Sequence, residues 1–259
     1  DVCYFLPQNS ALDIEASKRG TTFYLVDRRF DMLPSLLSSD LCSLHGKIDR
    51  LAVSVIWTFS ADFEKVKSVW YGRTVIHNVQ AMTYGQAHNI LNDKAPDDLE
   101  KKRFPPPLTA GARVNKHLID PLKKGLTVLT KLTRKLRSDR EVIGGAVDLS
   151  GDQGSELKFD LDSEGKPIKC VPKKELEIHH TIAEMMIMAN AFVAETIYTK
   201  FPNISLLRIH RAVEKDNFGE LESLLHAGGV NFDGRSNKTL AQSLKCAKKK
   251  EEGSPLFSL

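Results

Sequence analysis

Two hydrophobic patterns alternate along the chain, one with a period of two residues and one with a period near 3.6. The period of two is clearest in LAVSVIWTFS, residues 51–60, and in VKSVWYGRTVIHNVQ, residues 66–80. A short polar loop separates these runs, so they predict an antiparallel hairpin. The runs DVCYF, TTFYLV, GGAVDLS and SELKFDLD predict shorter strands, and the last two are expected to pair through a glycine-rich turn.

Apolar residues spaced three and four apart predict helices, and two of these helices have clear end signals. SALDIEASKRG, residues 10–20, has a serine cap and a terminal glycine, and NFGELESLLHAGG, residues 217–229, also ends in glycine. Further helical segments are predicted at 35–44, 82–93, 114–139 and 238–253, with Pro121 a candidate break. HHTIAEMMIMANAFVAETIYTKF, residues 179–201, is apolar on nearly every side. It predicts a buried central helix within a mixed α/β (α+β) fold that has antiparallel strands around it.

The chain is predicted to form one domain over residues 1–246. KAPDDLEKKRFPPPLTAGA is rich in proline and charge, so a flexible insertion is expected at about residues 93–112. KKKEEGSPLFSL has a low-complexity character, which predicts a disordered tail over residues 247–259. The sequence begins with Asp1 rather than Met, in a run that predicts a strand, so we interpret it as starting inside a folded domain.

Composition narrows the class of protein without choosing a function. With 259 residues, 41% of them hydrophobic and 27% charged, the chain can bury a sizeable core. No run approaches the roughly 20 apolar residues of a membrane span, and DVCYFLPQNS lacks a signal-peptide pattern, so an intracellular protein is expected. The net charge of +4 is compatible with nucleic acid as a partner but does not require it. The four cysteines form no CxxC pair, which argues against a zinc knuckle.

Metal and nucleophile chemistry have weak support in the sequence. Asp27, Asp31 and Asp40 each lie beside an arginine, a turn or a helix start, where aspartate usually caps a helix or forms an ion pair. His179 and His180 are neighbours on a predicted helix, so they point about 100° apart and cannot easily hold one ion. There is no GxSxG elbow, and no cysteine lies in a recognisable catalytic context. No catalytic or metal-binding residue is therefore assigned.

Nucleic-acid binding has better support. Tyr24 lies on a predicted strand that leads directly to Arg28 and Arg29, so a ring for stacking and two guanidinium groups for phosphates could line one groove. The alternative is structural, because strands such as TTFYLV usually belong to a core and DRR usually forms local salt bridges. Glu184 and Asn190, which we place on much the same side of the predicted central helix, suggest either a polar site or an internal hydrogen-bond network.

The order of several segments resembles a known family. The segments are residues 1–44, DRLAVSVIW, TIAEMMIMANAFVAETI and SLLRIH. They look like successive blocks of the catalytic domain of ribonuclease II type exoribonucleases, the RNB domain. VWYGRTVI and VNFDGRSNKTLAQSL look most like the exosome-associated, cytoplasmic branch of the eukaryotic enzymes. The resemblance covers residues 1–246 apart from the predicted insertion, and it implies an RNB-type fold that is incomplete at both ends.

The resemblance implies processive hydrolysis of single-stranded RNA from its 3′ end in the intact parent. The expected products are nucleoside monophosphates, the expected cofactor is magnesium, and the RNA exosome core is a further expected partner. A cytoplasmic location is implied by the subfamily, with neither DNA nor a membrane as a partner. The family's metal-binding aspartates would lie before Asp1, and its late TSPIRRY-like block is not reached. The chain alone is therefore expected to be inactive, and a non-catalytic RNA-binding or scaffold module is the alternative.

Three residues match functional positions of the family one by one. Tyr24 matches a tyrosine that stacks against the 3′-terminal region of the RNA. Glu184 and Asn190 match a glutamate and an asparagine that would contact the RNA 3′ end or nearby sugars. The chain departs from the family at Ala183, where an acid is usual, and this departure implies a weaker polar lining. The predicted RNA-contacting residues are Tyr24, Arg28, Arg29, Glu184 and Asn190.

Overall fold

The structure is a computed structural model of the 259-residue chain. It describes residues 1–25, 28–96, 114–146, 157–162, 166–172, 175–209 and 218–251. Most of the predicted insertion at 93–112 and of the predicted tail at 247–259 therefore lies outside the described residues. Two compact units divide the chain: unit 1 is Asp1–Leu132 with Ser155–Ile182, and unit 2 is Thr133–Gly154 with Ala183–Leu259.

Unit 1 begins with two helices, α1 at Val2–Phe5 and α2 at Ala11–Arg19. The strand predicted at the N-terminus is wrong, because the Leu6 N–H donates to the carbonyl of Val2 at 3.1 Å and closes a helical turn. Five residues are too few for periodicity to separate a strand from one turn of helix. The ends predicted for α2 are confirmed: the Ser10 hydroxyl accepts from the Asp13 N–H, and Gly20 ends the helix with φ 70°.

A small hairpin and a π-helix follow. They consist of β1 at Phe23–Tyr24, β2 at Arg29–Phe30 and the π-helix at Leu36–Leu41. The strand predicted over TTFYLV thus contributes two paired residues, and the segment expected to be only a connection supplies their partners. The helical turns predicted after Pro34 form as a π-helix, because the Cys42 N–H donates to the carbonyl of Leu37, five residues earlier, at 3.0 Å.

The long hairpin is confirmed. β3, Asp49–Phe59, pairs antiparallel with β4, Val66–His77, and residues 60–65 connect them. Trp70 lies across Gly72, where a Cβ atom would collide with the indole ring. Glycine at that position therefore lets the tryptophan side chain lie flat along its own strand.

Helices α3 and α4 are also confirmed. α3 is Tyr84–Leu91, and a capping box between Thr83 and Gln86 begins it. α4 is Ile119–Val142, and a short 3₁₀ turn at Lys116–Leu118 precedes it. The candidate break at Pro121 does not occur, because Pro121 lies in the first turn, where backbone N–H groups have no acceptor within the helix.

The second strand pair differs from the prediction. β5, Leu157–Leu161, lies within SELKFDLD, but it pairs with β6, Pro167–Pro172, rather than with GGAVDLS. The short segment that follows SELKFDLD favours this pairing, since a short connection costs little closure entropy. Residues 147–150 of GGAVDLS lie outside the described residues. The strand pairs of the described residues are all antiparallel, which confirms the predicted mixed fold.

Helix α5, Glu177–Lys200, is confirmed, but only one of its sides is buried. The buried side chains are three or four residues apart: Ile178, Thr181, Glu184 and Met188. Large apolar side chains on its other sides are exposed in this chain: Ile182, Met186, Ile187, Ile197 and Tyr198. Apolar residues on nearly every side of α5 predicted that all of its sides are buried. Actual burial depends on which sides neighbouring elements cover.

Two helices complete unit 2. α6, Gly219–Ala227, ends at Gly228 as predicted, and α7 is Asn237–Glu251. The start of α7 has a reciprocal cap, in which the Thr239 N–H donates to Ser236 Oγ at 3.2 Å and the Ser236 N–H donates to Thr239 Oγ1 at 3.1 Å. α7 extends five residues past the predicted domain boundary at 246. None of the helices that the structure describes has the length and apolar character to cross a bilayer.

Candidate RNA-contact surface

Tyr24 and Arg29 lie directly opposite each other on the β1–β2 hairpin. Side chains opposed in an antiparallel pair project to the same face, with Cβ atoms about 5 Å apart. Phe23 and Phe30 form the other opposed pair, so they project to the opposite face. One face thus carries a phenol and a guanidinium, while the other carries two phenyl rings. Tyr24 is 76% exposed, so the packed core of the described residues does not include its ring.

The Arg29 guanidinium is held at two points. Its Nε lies 3.1 Å from Asp31 Oδ1, and its Nη2 donates to Ser39 Oγ at 2.6 Å. Ser39 belongs to the π-helix. The Arg29 side chain nevertheless remains 47% exposed. The sequence left two interpretations of this arginine, a local salt bridge and a phosphate-binding cation. The geometry is compatible with both, since a local ion pair orients a guanidinium that solvent still reaches.

Arg28 directly precedes β2. Its carbonyl accepts from the Leu25 N–H at 2.8 Å, which closes the hairpin, and the residue is exposed. Val26 and Asp27, between these two, lie outside the described residues. An exposed tyrosine can stack on any base, and guanidinium groups match phosphate geometry. The chemistry of this hairpin suits a single-stranded polynucleotide.

Glu184 has a different environment. It is 5% exposed, and Arg140 of α4 donates to both of its oxygens, from Nη2 to Oε1 at 2.5 Å and from Nε to Oε2 at 3.3 Å. The hydrogen bond to Glu184 raises the pKa of Arg140. The guanidinium in turn supplies the counter-charge that a buried carboxylate requires. Of the two alternatives for Glu184, the structure shows the internal network, which lies within unit 2.

Asn190 lies on an exposed side of α5, and its side-chain amide has no hydrogen-bond partner among the described residues. It comes six positions after Glu184 in the sequence. At about 100° per residue, the two side chains are about 120° apart around the helix. The prediction that they share a side is therefore wrong, and the amide of Asn190 is open to a polar ligand where the Glu184 carboxylate is not.

Two partners of the candidate residues were not found from the sequence. Arg140 is 44 residues from Glu184, and Ser39 is 10 residues from Arg29. Helix α4 contains several basic residues, and nothing in their spacing shows which of them faces a buried acid. The serines at 38 and 39 offered a weak signal only, because serine is common wherever a chain turns.

Two of the aspartates considered as metal ligands form ion pairs instead. Asp31 pairs with Arg29 and Asp40 pairs with Arg50, as predicted. No three His, Cys, Asp or Glu side chains come together to hold a metal ion within the described ranges. These residues therefore do not fit a magnesium centre by themselves, and we derive no catalytic step through a metal.

Comparison with protein-family models finds the RNB domain over residues 1–257. Among curated relatives, the probable exosome complex exonuclease RRP44 of Caenorhabditis elegans is 37% identical over 253 residues, which are 96% of this chain and 23% of that protein. The chain spans about a quarter of the length of the first curated relatives that it matches.

Solved structures share the fold. Mycoplasma genitalium RNase R in complex with ribose methylated single-stranded RNA matches with a TM-score of 0.76 and 22% identity, over 95% of this chain and 35% of that chain. Yeast Ssd1, described as a pseudonuclease, matches with a TM-score of 0.66 and 18% identity, over 93% of this chain and 26% of that chain. The resemblance seen in the sequence blocks is confirmed by the family model, and the chain belongs to the RNB-domain family.

Proposed function

We propose that this chain serves a 3′–5′ exoribonuclease activity that degrades single-stranded RNA to nucleoside monophosphates, and that it contributes contacts with the RNA. The match of the RNB-domain model to residues 1–257 carries this proposal. Two findings add support: a relative named as an exonuclease is 37% identical, and a protein of the same fold has been solved with single-stranded RNA.

The β1–β2 hairpin would supply the principal contact. Tyr24 stacks on a base, because an exposed ring gains stacking energy with any nucleotide. Arg28 and Arg29 bind the adjacent phosphates through charge-assisted hydrogen bonds. Asn190 contributes an amide that can bind a ribose hydroxyl. Glu184 holds the fold through Arg140, so we assign it no direct contact with the RNA.

Magnesium is the proposed cofactor of the complete activity. A divalent ion of this kind activates water and stabilises the leaving oxygen in phosphodiester hydrolysis. The described residues do not fit such a centre, so we propose that its ligands lie outside them.

A direct test uses the purified 259-residue chain and a fluorescein-labelled single-stranded RNA. Fluorescence anisotropy without metal should show saturable binding, weaker for a blunt duplex of equal length. Chromatography of the same mixture with magnesium should show no nucleoside monophosphates from this chain alone. Absence of RNA binding would reject the proposed function, and release of mononucleotides would reject the proposal that the chain alone is inactive.

The second candidate is a non-catalytic RNA-binding or scaffold module. Yeast Ssd1, described as a pseudonuclease, has the same fold, so the fold alone does not decide activity. A chimaera separates the two candidates: this chain replaces the matching segment of the Caenorhabditis elegans relative, and the unaltered relative is assayed beside it. Mononucleotide release by both supports the exonuclease. Release by the relative alone, with the chimaera folded and binding RNA, supports the non-catalytic module.

Two further proposals rest on the subfamily resemblance. We propose a cytoplasmic location and an association with the RNA exosome core. A fluorescent fusion tests the first, and a predominantly nuclear signal would contradict it. Affinity purification from cells tests the second, and it fails if exosome subunits are not enriched over a tag-only control.

A further inference from the structure

Asp31 is the point at which several contacts around the β1–β2 hairpin meet. Its Oδ1 lies 3.1 Å from Arg29 Nε, and its Oδ2 accepts from Ser38 Oγ at 2.8 Å. Its main-chain carbonyl accepts from Arg19 Nη1 of α2 at 3.0 Å. The side chain is 18% exposed, whereas that of Arg29 is 47% exposed. Asp31 is thus the fixed partner, and Arg29 is the partner that faces water.

The π-helix provides the other half of this arrangement. Two successive residues, Ser38 and Ser39, reach the two members of the ion pair: Ser38 donates to Asp31, and Ser39 accepts from Arg29. Ser38 Oγ also lies 3.3 Å from the carbonyl oxygen of Pro34. π-Helices are rare and often occur at functional sites. The result is a guanidinium whose direction is set by contacts from two different elements.

The strands alone could not set that direction. β1 and β2 have only two residues each, and so short a pair is at best marginally stable in water. A free arginine side chain has several rotatable bonds and loses about 2 kcal/mol of rotamer entropy when it is fixed. Contacts that hold Arg29 before a ligand arrives reduce this cost at the binding step.

We propose that Asp31 is a positioning residue, which fixes the Arg29 guanidinium beside the Tyr24 ring so that one nucleotide meets a stacking surface and a phosphate-binding cation together. This inference rests on the proposed function, because it specifies how the RNA contact is organised. Asp31 itself does not touch the RNA. It acts through Arg29, whose Nη1 is the guanidinium nitrogen that neither Asp31 nor Ser39 occupies.

Asp31→Asn tests this proposal, because two explanations of the residue predict opposite changes in RNA affinity. If Asp31 were merely a nearby negative charge, its removal would strengthen RNA binding, because the surface would become more positive. If Asp31 positions Arg29, the substitution weakens RNA binding about fivefold, since Arg29 loses its charged partner. Asp49→Asn is the control: Asp49 is an exposed carboxylate on β3 whose Oδ1 lies 2.6 Å from His77 Nδ1, and its loss should leave binding equal or slightly tighter.

The salt dependence of binding reports whether Arg29 still neutralises a phosphate. On a single strand, the slope of log affinity against log salt concentration falls by about 0.7 for each phosphate that the protein no longer neutralises. Both Asp31→Asn and Arg29→Gln should show this decrease in slope. The double variant should show the same decrease as either single variant, because both substitutions remove the same phosphate contact. Asp31→Glu, which restores the carboxylate, should recover most of the affinity.

Folding of every variant is measured by circular dichroism and urea unfolding. A change in RNA affinity can then be told apart from a loss of structure. Tighter or unchanged RNA binding by folded Asp31→Asn overturns the positioning role. If Asp31→Asn does not fold, Ser39→Ala decides: a loss of about twofold in affinity supports positioning, and unchanged affinity overturns it. Failure of the unaltered chain to bind RNA would reject the proposed function instead, so the two failures are distinguishable.

Discussion

The Arg29–Asp31 pair and the Arg140–Glu184 pair have the same chemistry and different burial. The Asp31 side chain is 18% exposed and that of Glu184 is 6% exposed, while the two arginines are 47% and 37% exposed. Water screens an exposed pair, which contributes little to stability. A buried carboxylate, in contrast, depends on its counter-charge. We infer that burial of the acid, rather than the presence of an ion pair, separates a contact that holds the fold from one that is open to a ligand.

The two pairs also differ in how far apart their members lie in sequence. Arg29 and Asp31 are two residues apart, so their pair orders one side chain at the end of β2. Arg140 and Glu184 are 44 residues apart and join α4 to α5 within unit 2. Loss of the first pair should therefore loosen a surface group, and loss of the second should loosen the packing of two helices.

The largest expected effect follows from Arg140→Met. The Glu184 carboxylate would be left buried without a counter-charge, so the free energy of unfolding should fall by about 3 kcal/mol, the low end for buried pairs because Arg140 is partly exposed. Urea unfolding followed by circular dichroism measures the change as a shift in midpoint at constant slope. An unchanged midpoint would contradict the assignment of this pair to the fold.

The double variant Arg140→Met with Glu184→Met is its control. Two apolar side chains of similar volume require no counter-charge, so the double variant should recover most of the lost stability. A double variant as unstable as the single one would show that the packing of the Arg140 stem, rather than its charge, is what matters.

Tyr24→Ala should have the next largest effect, on RNA binding rather than on stability. Base stacking contributes about 1–3 kcal/mol per base, so affinity for single-stranded RNA should fall about tenfold or more. The free energy of unfolding should change by less than about 0.5 kcal/mol, because the ring is exposed. Anisotropy titration and urea unfolding measure the two quantities on the same samples.

Phe23→Ala provides a matched control for Tyr24→Ala. Phe23 is adjacent, aromatic and exposed, but it projects to the opposite face of the hairpin. RNA affinity should therefore be unchanged. An equal loss for both variants would mean that the hairpin is disturbed as a whole, and a large stability loss in Tyr24→Ala with unaltered RNA binding would assign Tyr24 to packing.

Arg29→Met makes the same substitution as Arg140→Met, but in the Arg29–Asp31 pair. The free energy of unfolding should fall by less than about 1 kcal/mol, because the pair is screened by water. The measurement is the same urea midpoint as for Arg140→Met. If the two truncations cost the same, the contrast between the exposed pair and the buried pair is wrong.

The smallest expected effect concerns a third pair, Asp233 with Arg235, in which the arginine is exposed and Nη2 lies 2.6 Å from Oδ2 of the aspartate. Hydrogen bonds from Arg235 lower the pKa of Asp233 well below its usual range. A lowered pKa gives stability that is present above the unfolded value near 4 and is lost as the pH falls below it. Asp233→Asn should therefore slightly flatten the acid side of the pH–stability profile, and parallel profiles from urea midpoints would contradict this.

The sequence by itself predicted the elements whose signals are local. The alternating runs on both sides of residues 60–65 predicted the β3–β4 hairpin, and Ser10 and Gly20 marked the ends of α2. These signals work because turns and caps involve groups only a few residues apart. A one-turn helix such as α1 was missed because it is too short to have a period.

For the candidate site, the sequence identified Tyr24, Arg28 and Arg29 through residue type and family resemblance, and it also anticipated the local ion pair of Asp31. It could not show that the Tyr24 ring is exposed, or which sides of α5 are covered. Only the tertiary structure decided that Arg140 neutralises Glu184 and that the side of α5 that carries Asn190 is exposed. Burial and long-range pairing depend on which surfaces meet when the chain folds, and no local pattern of residues records that.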